Sequence, residues 1–268
     1  MKIMNLNLQK VAEYERIMPL CMQPMIGVMP GVDVILRDDL ALMSSTEYPS
    51  PDANQAFLLR ATEETADALI DEVTAYFKAK GVPAAIYISP ACTPSNLVQR
   101  LLQRGYVKQE PDESWLVFEH MQAVRIPKTD PKIVVRQVEN SEAGLFAEVM
   151  AAAYEMPSEW VPVVSNALAP SIGQPNFRHY LAFIDQQPLA TITVMRHKNN
   201  AIVGSAGVLP QHRGSTLIFN LAVNALSQAR QEGVDTAILQ TTLGPIFERF
   251  LRICGFKLAF KRTGYLLA

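Results

Sequence analysis

Two short stretches of this chain occur twice, in the same order and at nearly constant spacing. Gly81-Val-Pro-Ala-Ala-Ile86 returns as Gly233-Val-Asp-Thr-Ala-Ile238, and Leu101-Leu-Gln-Arg-Gly-Tyr106 returns as Leu251-Arg-Ile-Cys-Gly-Phe256, at offsets of 152 and 150 residues. Each copy reads as a long helix (residues 63–80 or 215–232), a strand, a shorter helix, a Gly-aromatic stop and a final β-ribbon. A glycine just past an apolar-periodic stretch is what a helix C-terminus needs, because it takes the left-handed conformation without a Cβ penalty. Two such series in register restrict the chain to a tandem of related domains. The break is expected in the proline- and charge-rich stretch 122–132, giving domains of 1–125 and 126–268.

The copies differ at one place. In the second, the apolar β-branched run 201–208 enters the turn Gln211-His-Arg-Gly-Ser-Thr216, and a helical pattern starts at once, with Leu217, Leu221, Ala225 and Ala229 four residues apart. Strand, Gly-containing turn and helix N-terminus form an anion site, since first-turn N–H groups have no partner within the helix. Neither GxGxxG nor GxxxxGK[ST] is present. The first copy offers Leu59-Arg-Ala-Thr-Glu-Glu64 before its long helix. That stretch has no glycine for close backbone approach, and its carboxylates repel a diphosphate. The first copy is therefore expected to pack without binding a cofactor.

The turn resembles the acyl-CoA pyrophosphate loop of the GNAT acyltransferase superfamily, V-x-P-x-x-[RQ]-G-x-[GA]-[LI]. Val208, Pro210, Arg213, Gly214 and Leu217 match, while Thr216 stands where the family prefers Gly or Ala. The strand 234–240 and the segment Pro245-Ile-Phe-Glu-Arg-Phe-Leu-Arg-Ile-Cys-Gly-Phe256 follow in the family's order, and the resemblance covers roughly residues 132 to 268. It implies an α/β fold of two tandem GNAT-like domains, each a mixed, mostly antiparallel twisted sheet flanked by helices. It also implies acetyl-CoA, or another acyl-CoA, as cofactor, with the acyl group passed directly to an amine of a small molecule or peptide. Val208 would pair with the pantetheine arm. Gln211, His212, Arg213, Gly214, Ser215 and Thr216 would hold the pyrophosphate, with Arg213 adding charge-assisted contacts.

The proton-transfer groups are less legible. An amine nucleophile loses a proton and a thiolate leaving group benefits from one. The tyrosine that supplies the acid in many family members is Leu251 here, and residues 199–208 carry no carboxylate. Glu155 and Glu159, in the joint Tyr154-Glu-Met-Pro-Ser-Glu-Trp160, are candidates to bind or deprotonate the amine, or are solvated loop carboxylates. Trp160 walls the acceptor pocket or packs in the core. Tyr265 on the final strand is a candidate acid or a structural residue. Cys254 reads as a small buried hydrophobe. Met18, Met22, Met25 and Met29 sit at helical spacing among three prolines. They form an adaptable apolar surface, for instance for a longer acyl chain, or the core of a kinked helix.

Composition narrows the alternatives. The chain of 268 residues is 49% hydrophobic and 19% charged, with a formal charge of −2. A large core is therefore affordable, and nothing in the charge supports nucleic-acid binding. Three dispersed cysteines argue against a disulfide framework, and His120, His179, His197 and His212 lack metal-ligand spacing. No signal-peptide core and no long apolar run is visible, so a cytoplasmic chain without membrane contact is expected. A homodimer is compatible with the sequence. The function expected is that of an acyl-CoA-dependent N-acyltransferase, with a non-catalytic acyl-CoA-binding sensor or scaffold as the alternative.

Overall fold

The computed structural model describes residues 4, 6–123 and 127–267. These residues divide into two compact units, one of residues up to 117 together with 240–268, the other of residues 118–239.

The first unit opens with α1 (Leu8–Met22), capped by Asn7, whose side chain accepts from the Lys10 N–H. Pro19 lies inside this helix, which passes into a 3-10 turn at Gln23–Met25. Met18 and Met25 are buried in the core, while Met22 and Met29 are half-buried. The strands β1 (Val32–Leu36), β2 (Ala41–Ser45) and β3 (Gln55–Phe57) pair antiparallel in succession. After α2 (Ala66–Lys80), β4 (Ala85–Ile88) lies parallel to β3; α3 (Leu97–Gln103), β5 (Tyr106–Lys108) and β6 (Glu113–Phe118) follow. The long helix begins three residues later than its apolar pattern suggests, because Thr62–Thr65 form a turn held by the Thr65 hydroxyl on the Thr62 N–H. Ile70, Val73 and Phe77 of α2 and Leu97 and Leu101 of α3 are buried in one cluster with Leu42, Ala56 and Ile86 of the sheet. Each of the larger side chains among them contributes about 1.5–3 kcal/mol.

In the second unit, β7 (Val134–Gln137) pairs with β8 (Phe177–Ile184), β8 with β9 (Gln187–His197) and β9 with β10 (Asn200–Val208), all antiparallel, and β10 runs parallel to β11 (Thr236–Thr241). Between β7 and β8 lie α4 (Ala143–Ala153) and α5 (Trp160–Leu168), and α6 (Leu217–Gln231) connects β10 to β11. The α6 residues at four-residue spacing, Leu217, Leu221, Ala225 and Ala229, are all buried. A second cluster joins Phe146 and Val149 of α4 to Leu181 and Phe183 of β8.

The chain ends with α7 (Gly244–Ile253) and β12 (Lys257–Leu267). The expected division at 125/126 falls outside the described residues, and the compact units are drawn differently: α7 and β12 belong to the first unit. There β12 lies between β4 on one side and β5 and β6 on the other. Burial accounts for this choice. Phe260, Arg262 and Tyr265 of β12 are all buried in that unit, with Phe260 stacked on Trp115 at 5.1 Å.

The repeat is visible in backbone geometry. Gly81 and Gly233 both take positive φ, at 66° and 93°, and the following residue closes the same bond in each copy, Val82 N–H to Phe77 C=O and Val234 N–H to Ala229 C=O. Gly105 and Gly255 match likewise, at 84° and 100°. These are equivalent helix-terminating motifs.

Candidate functional site

The sequence turn of interest lies at the end of β10. Along β11 this strand is paired only from Asn200 to Val203, and Gly204–Val208 continue beside β9 alone. The β9 register shifts between Gly204 and Gly207, and Ser205 takes φ +48°. This is a bulge, which bends the strand and re-aims its groups. The bulge is held from both sides: Thr191 Oγ1 donates to the Ser205 carbonyl at 2.8 Å, and the Tyr154 hydroxyl donates to the Ala206 carbonyl at 3.2 Å. Gly207 lets the end of α4 approach, since a Cβ there would stand 2.8 Å from the Ala153 Cβ.

Beyond Val208 a 3-10 turn at Pro210–His212 leads into Gly214, whose φ of +82° suits glycine and whose missing Cβ would meet only open space. Ser215 closes the turn, donating to the His212 carbonyl at 2.7 Å and accepting from the Leu217 N–H at 3.3 Å. Among the described residues, the N–H groups of Gly214, Thr216, Ile218 and Phe219 have no internal acceptor. Unpaired N–H groups beside a position with no side chain fit a diphosphate, which needs several donors at close approach.

Arg213 is directed elsewhere. Its Nη2 donates to the Ala153 carbonyl at 2.8 Å and pairs with Glu155 Oε2 at 2.9 Å. Glu155 occupies the C-terminal stop of α4 at φ +53°, and Met156 closes that stop by donating to Ala151. The expected phosphate cation and the expected base thus hold each other, across the joint between α4 and α5. Both side chains are about half or more exposed, at 49% and 66%. Such a pair is screened and worth less than about 1 kcal/mol, so an anionic ligand can compete for Arg213.

Glu159 is exposed, directly before α5, and Trp160 is the first residue of that helix, half-buried. Gln211 and His212 are in the turn and Thr216 is the N-cap of α6. The structure therefore brings Glu155, Arg213 and the bulge of β10 together. Tyr265 belongs to the first unit, buried in its core with Ile86, Leu101 and Tyr106, where burial raises its phenol pKa. Leu251 is buried on α7, and burial raises the Cys254 thiol. The sequence reading missed Tyr154 and the bulge. The signal for the bulge is the pair of glycines in Gly204-Ser-Ala-Gly207, inside an otherwise apolar strand.

The first unit closes the equivalent place with its own chain. Just after β3, the Leu59 carbonyl accepts from the Thr93 N–H at 2.9 Å and the Ala61 N–H donates back to Thr93 at 3.0 Å. Near the start of α2, Glu63 and Asp67 pair with Arg100, and Asp67 and Asp71 pair with Arg104.

One histidine of the second unit is buried. His179 lies between Ser171 Oγ at 2.8 Å and Thr193 Oγ1 at 2.9 Å, and desolvation lowers its pKa to about 4. It is a neutral core residue. Among the described residues no group of three or more His, Cys, Asp or Glu is arranged to hold a metal, and no helix is long and apolar enough to cross a membrane.

No protein-family model and no curated protein sequence matches this chain. Solved structures do match it along most of its length. A GCN5-related N-acetyltransferase from Kribbella flavida superposes with a TM-score of 0.67 at 16% identity, covering 92% of this chain and 93% of that one. A GCN5-related N-acetyltransferase from Sphaerobacter thermophilus gives 0.63 at 15% identity, with 94% and 90% covered. A tandem GNAT protein from the clavulanic acid biosynthesis pathway gives 0.62 at 13% identity, with 92% and 86% covered. The chain has the fold of tandem GNAT proteins.

Proposed function

We propose that this chain is an acyl-CoA-dependent N-acyltransferase, transferring acetyl from acetyl-CoA to an amine of a small molecule or peptide. The observation that carries the reading is the departure of β10 from β11 after Val203, ahead of a turn in which the Gly214 and Thr216 N–H groups have no internal acceptor among the described residues. Acyl-CoA supplies an activated thioester carbonyl. In this reading the Gln211–Thr216 backbone holds the diphosphate, and Val208 with the stretch of β10 that β11 leaves uncovered lines the pantetheine. Arg213 exchanges Glu155 for phosphate oxygens. Glu155, once released, and Glu159 are the carboxylates that attract the ammonium form of the acceptor and take its proton. Tyr154 fixes the bulge through Ala206, which sets the direction of the free strand groups. Tyr265 is assigned to packing. The reading rests on CoA release from acetyl-CoA across an amine panel; absence of turnover, with a background unchanged by Arg213→Ala, overturns it.

A second reading keeps the CoA site and drops the chemistry. It is favoured by Leu251 at the position of the usual acid and by the carboxylate-free strand 199–208. Calorimetry with CoA beside the turnover assay separates the two, because tight binding without turnover selects the second. Absence of CoA binding excludes both.

A further inference from the structure

The first unit contains a buried polar cluster that neither reading uses. Arg262 of β12 is 1% exposed, yet it carries a full hydrogen-bonding load on one side only. Its Nε donates to Glu113 Oε2, and its Nη2 donates to Gln55 Oε1 at 2.8 Å. Its guanidinium packs against the rings of Phe57, Tyr87 and Trp115, with centroids at 5.3, 4.1 and 4.8 Å. Its Nη1 is buried without a partner. Glu15 of α1 is 0% exposed; its Oε2 accepts from Ser89 Oγ at 2.7 Å, while its Oε1 is likewise buried without a partner.

The two orphaned atoms belong to side chains held on the same stretch of the sheet. Arg262 lies over Tyr87 and Glu15 is held by Ser89, two residues further along the same run. Residues two apart in an extended run point to one face, roughly 7 Å apart. Arg262 is accordingly the charge acting most strongly on Glu15, and desolvation nevertheless raises Glu15 to about 7. The remaining groups around Glu15 are Ser89, Cys92 and Glu113, and the Cys92 thiol is pushed up to about 11 by its own burial and by Glu15. Buried polar atoms in native proteins are almost always paired, so a donor and an acceptor left open over one stretch of the sheet call for an occupant. The cluster reaches solvent at Glu113, whose side chain is 15% exposed, and at the exposed Asp52.

The charge balance selects the occupant. Glu113 already neutralises Arg262, leaving Glu15 and Asp52 as excess negative charge. A further anion would be repelled, whereas a cation placed at Glu15 removes the reason for its protonation. The open Nη1 separately requires an oxygen acceptor. We propose that the first unit binds a small primary amine carrying a neighbouring carbonyl or hydroxyl oxygen, with the ammonium on Glu15 Oε1 and the oxygen on Arg262 Nη1.

The test is calorimetry on the full chain at pH 7 with glycinamide and ethanolamine, with acetate and acetamide as controls, in two buffers of different ionisation enthalpy. Saturable binding of the two amines is expected, with net proton release as the Glu15 carboxyl, raised by its burial, ionises beside the bound ammonium, and no saturable heat from acetate. Glu15→Gln should weaken glycinamide at least tenfold and leave CoA binding unchanged, which separates this site from the turn at Gly214. Should that variant misfold, a crystal of the unmodified chain soaked in glycinamide replaces it. Density for the amine touching Glu15 and Arg262 supports the proposal. An internal water alone, no saturable heat from either amine, or an affinity indifferent to Glu15→Gln overturns it.

Discussion

Arg213 and Glu155 form an ion pair of 2.9 Å across the joint between α4 and α5, and the same guanidinium nitrogen reaches the Ala153 carbonyl at 2.8 Å. A side chain of the proposed phosphate turn is thereby committed to the helix joint that borders the expected acceptor side. In the proposed reading, ligand capture and the state of that joint share one cation.

Glu155→Gln should release Arg213 and tighten CoA roughly twofold, since the pair it removes is exposed and worth less than about 1 kcal/mol. Arg213→Ala should weaken CoA about tenfold through loss of a charge-assisted contact. Both are read by calorimetry at fixed ionic strength. A Glu155→Gln variant that binds CoA more weakly would show that the pair supports the site instead of competing for it.

Gly207→Ala places a Cβ 2.8 Å from that of Ala153, with Tyr154 ring atoms at 3.1 and 3.4 Å. Overpacking of this kind costs about 1–3 kcal/mol. A lower midpoint in denaturant is expected, with a raised KM for the acceptor as the end of α4 shifts. An unchanged midpoint would mean that the helix end yields freely.

His179 makes stability depend on acidity. Its folded pKa of about 4 lies below the ordinary value of 6.5, so between these the unfolded chain binds the extra proton. Stability is intact above about 6.5, declines as the pH falls toward 4, and loses about 3 kcal/mol from this residue in all. Denaturant titrations across that range should show the decline, and His179→Gln should flatten it. A decline of the same slope in the variant would assign it to other groups.

Tyr265→Phe should leave turnover within about twofold, because the ring packs in the first unit's core. Steady-state kinetics decide this. A loss of kcat of a hundredfold or more, with the melting temperature retained, would return the phenol to the chemistry.

Much of the architecture is readable from residue patterns. The apolar spacing of α6 and the glycines at 81, 105, 233 and 255 mark helix faces and ends, because those signals depend only on local backbone geometry. The destination of β12 is different: alternation says which side chains share a face, and says nothing of which strand lies alongside. The candidate site divides in the same way. Gly214 announces its turn through its own conformational freedom. The contact of Arg213 with Glu155 spans 58 positions and depends on where α4 ends, which no local pattern encodes.

The placement of β12 bears on how such a chain is inherited and handled. A gene fragment ending at residue 125 would encode a first half without the strand that stands between β4 and β6, and with Trp115 and Tyr87 deprived of their cover. The first half thus depends on residues 240–268, more than a hundred positions further along the chain. Residues 240–268 must have left the ribosome before that half can close, and recombination that separates them from it leaves it incomplete.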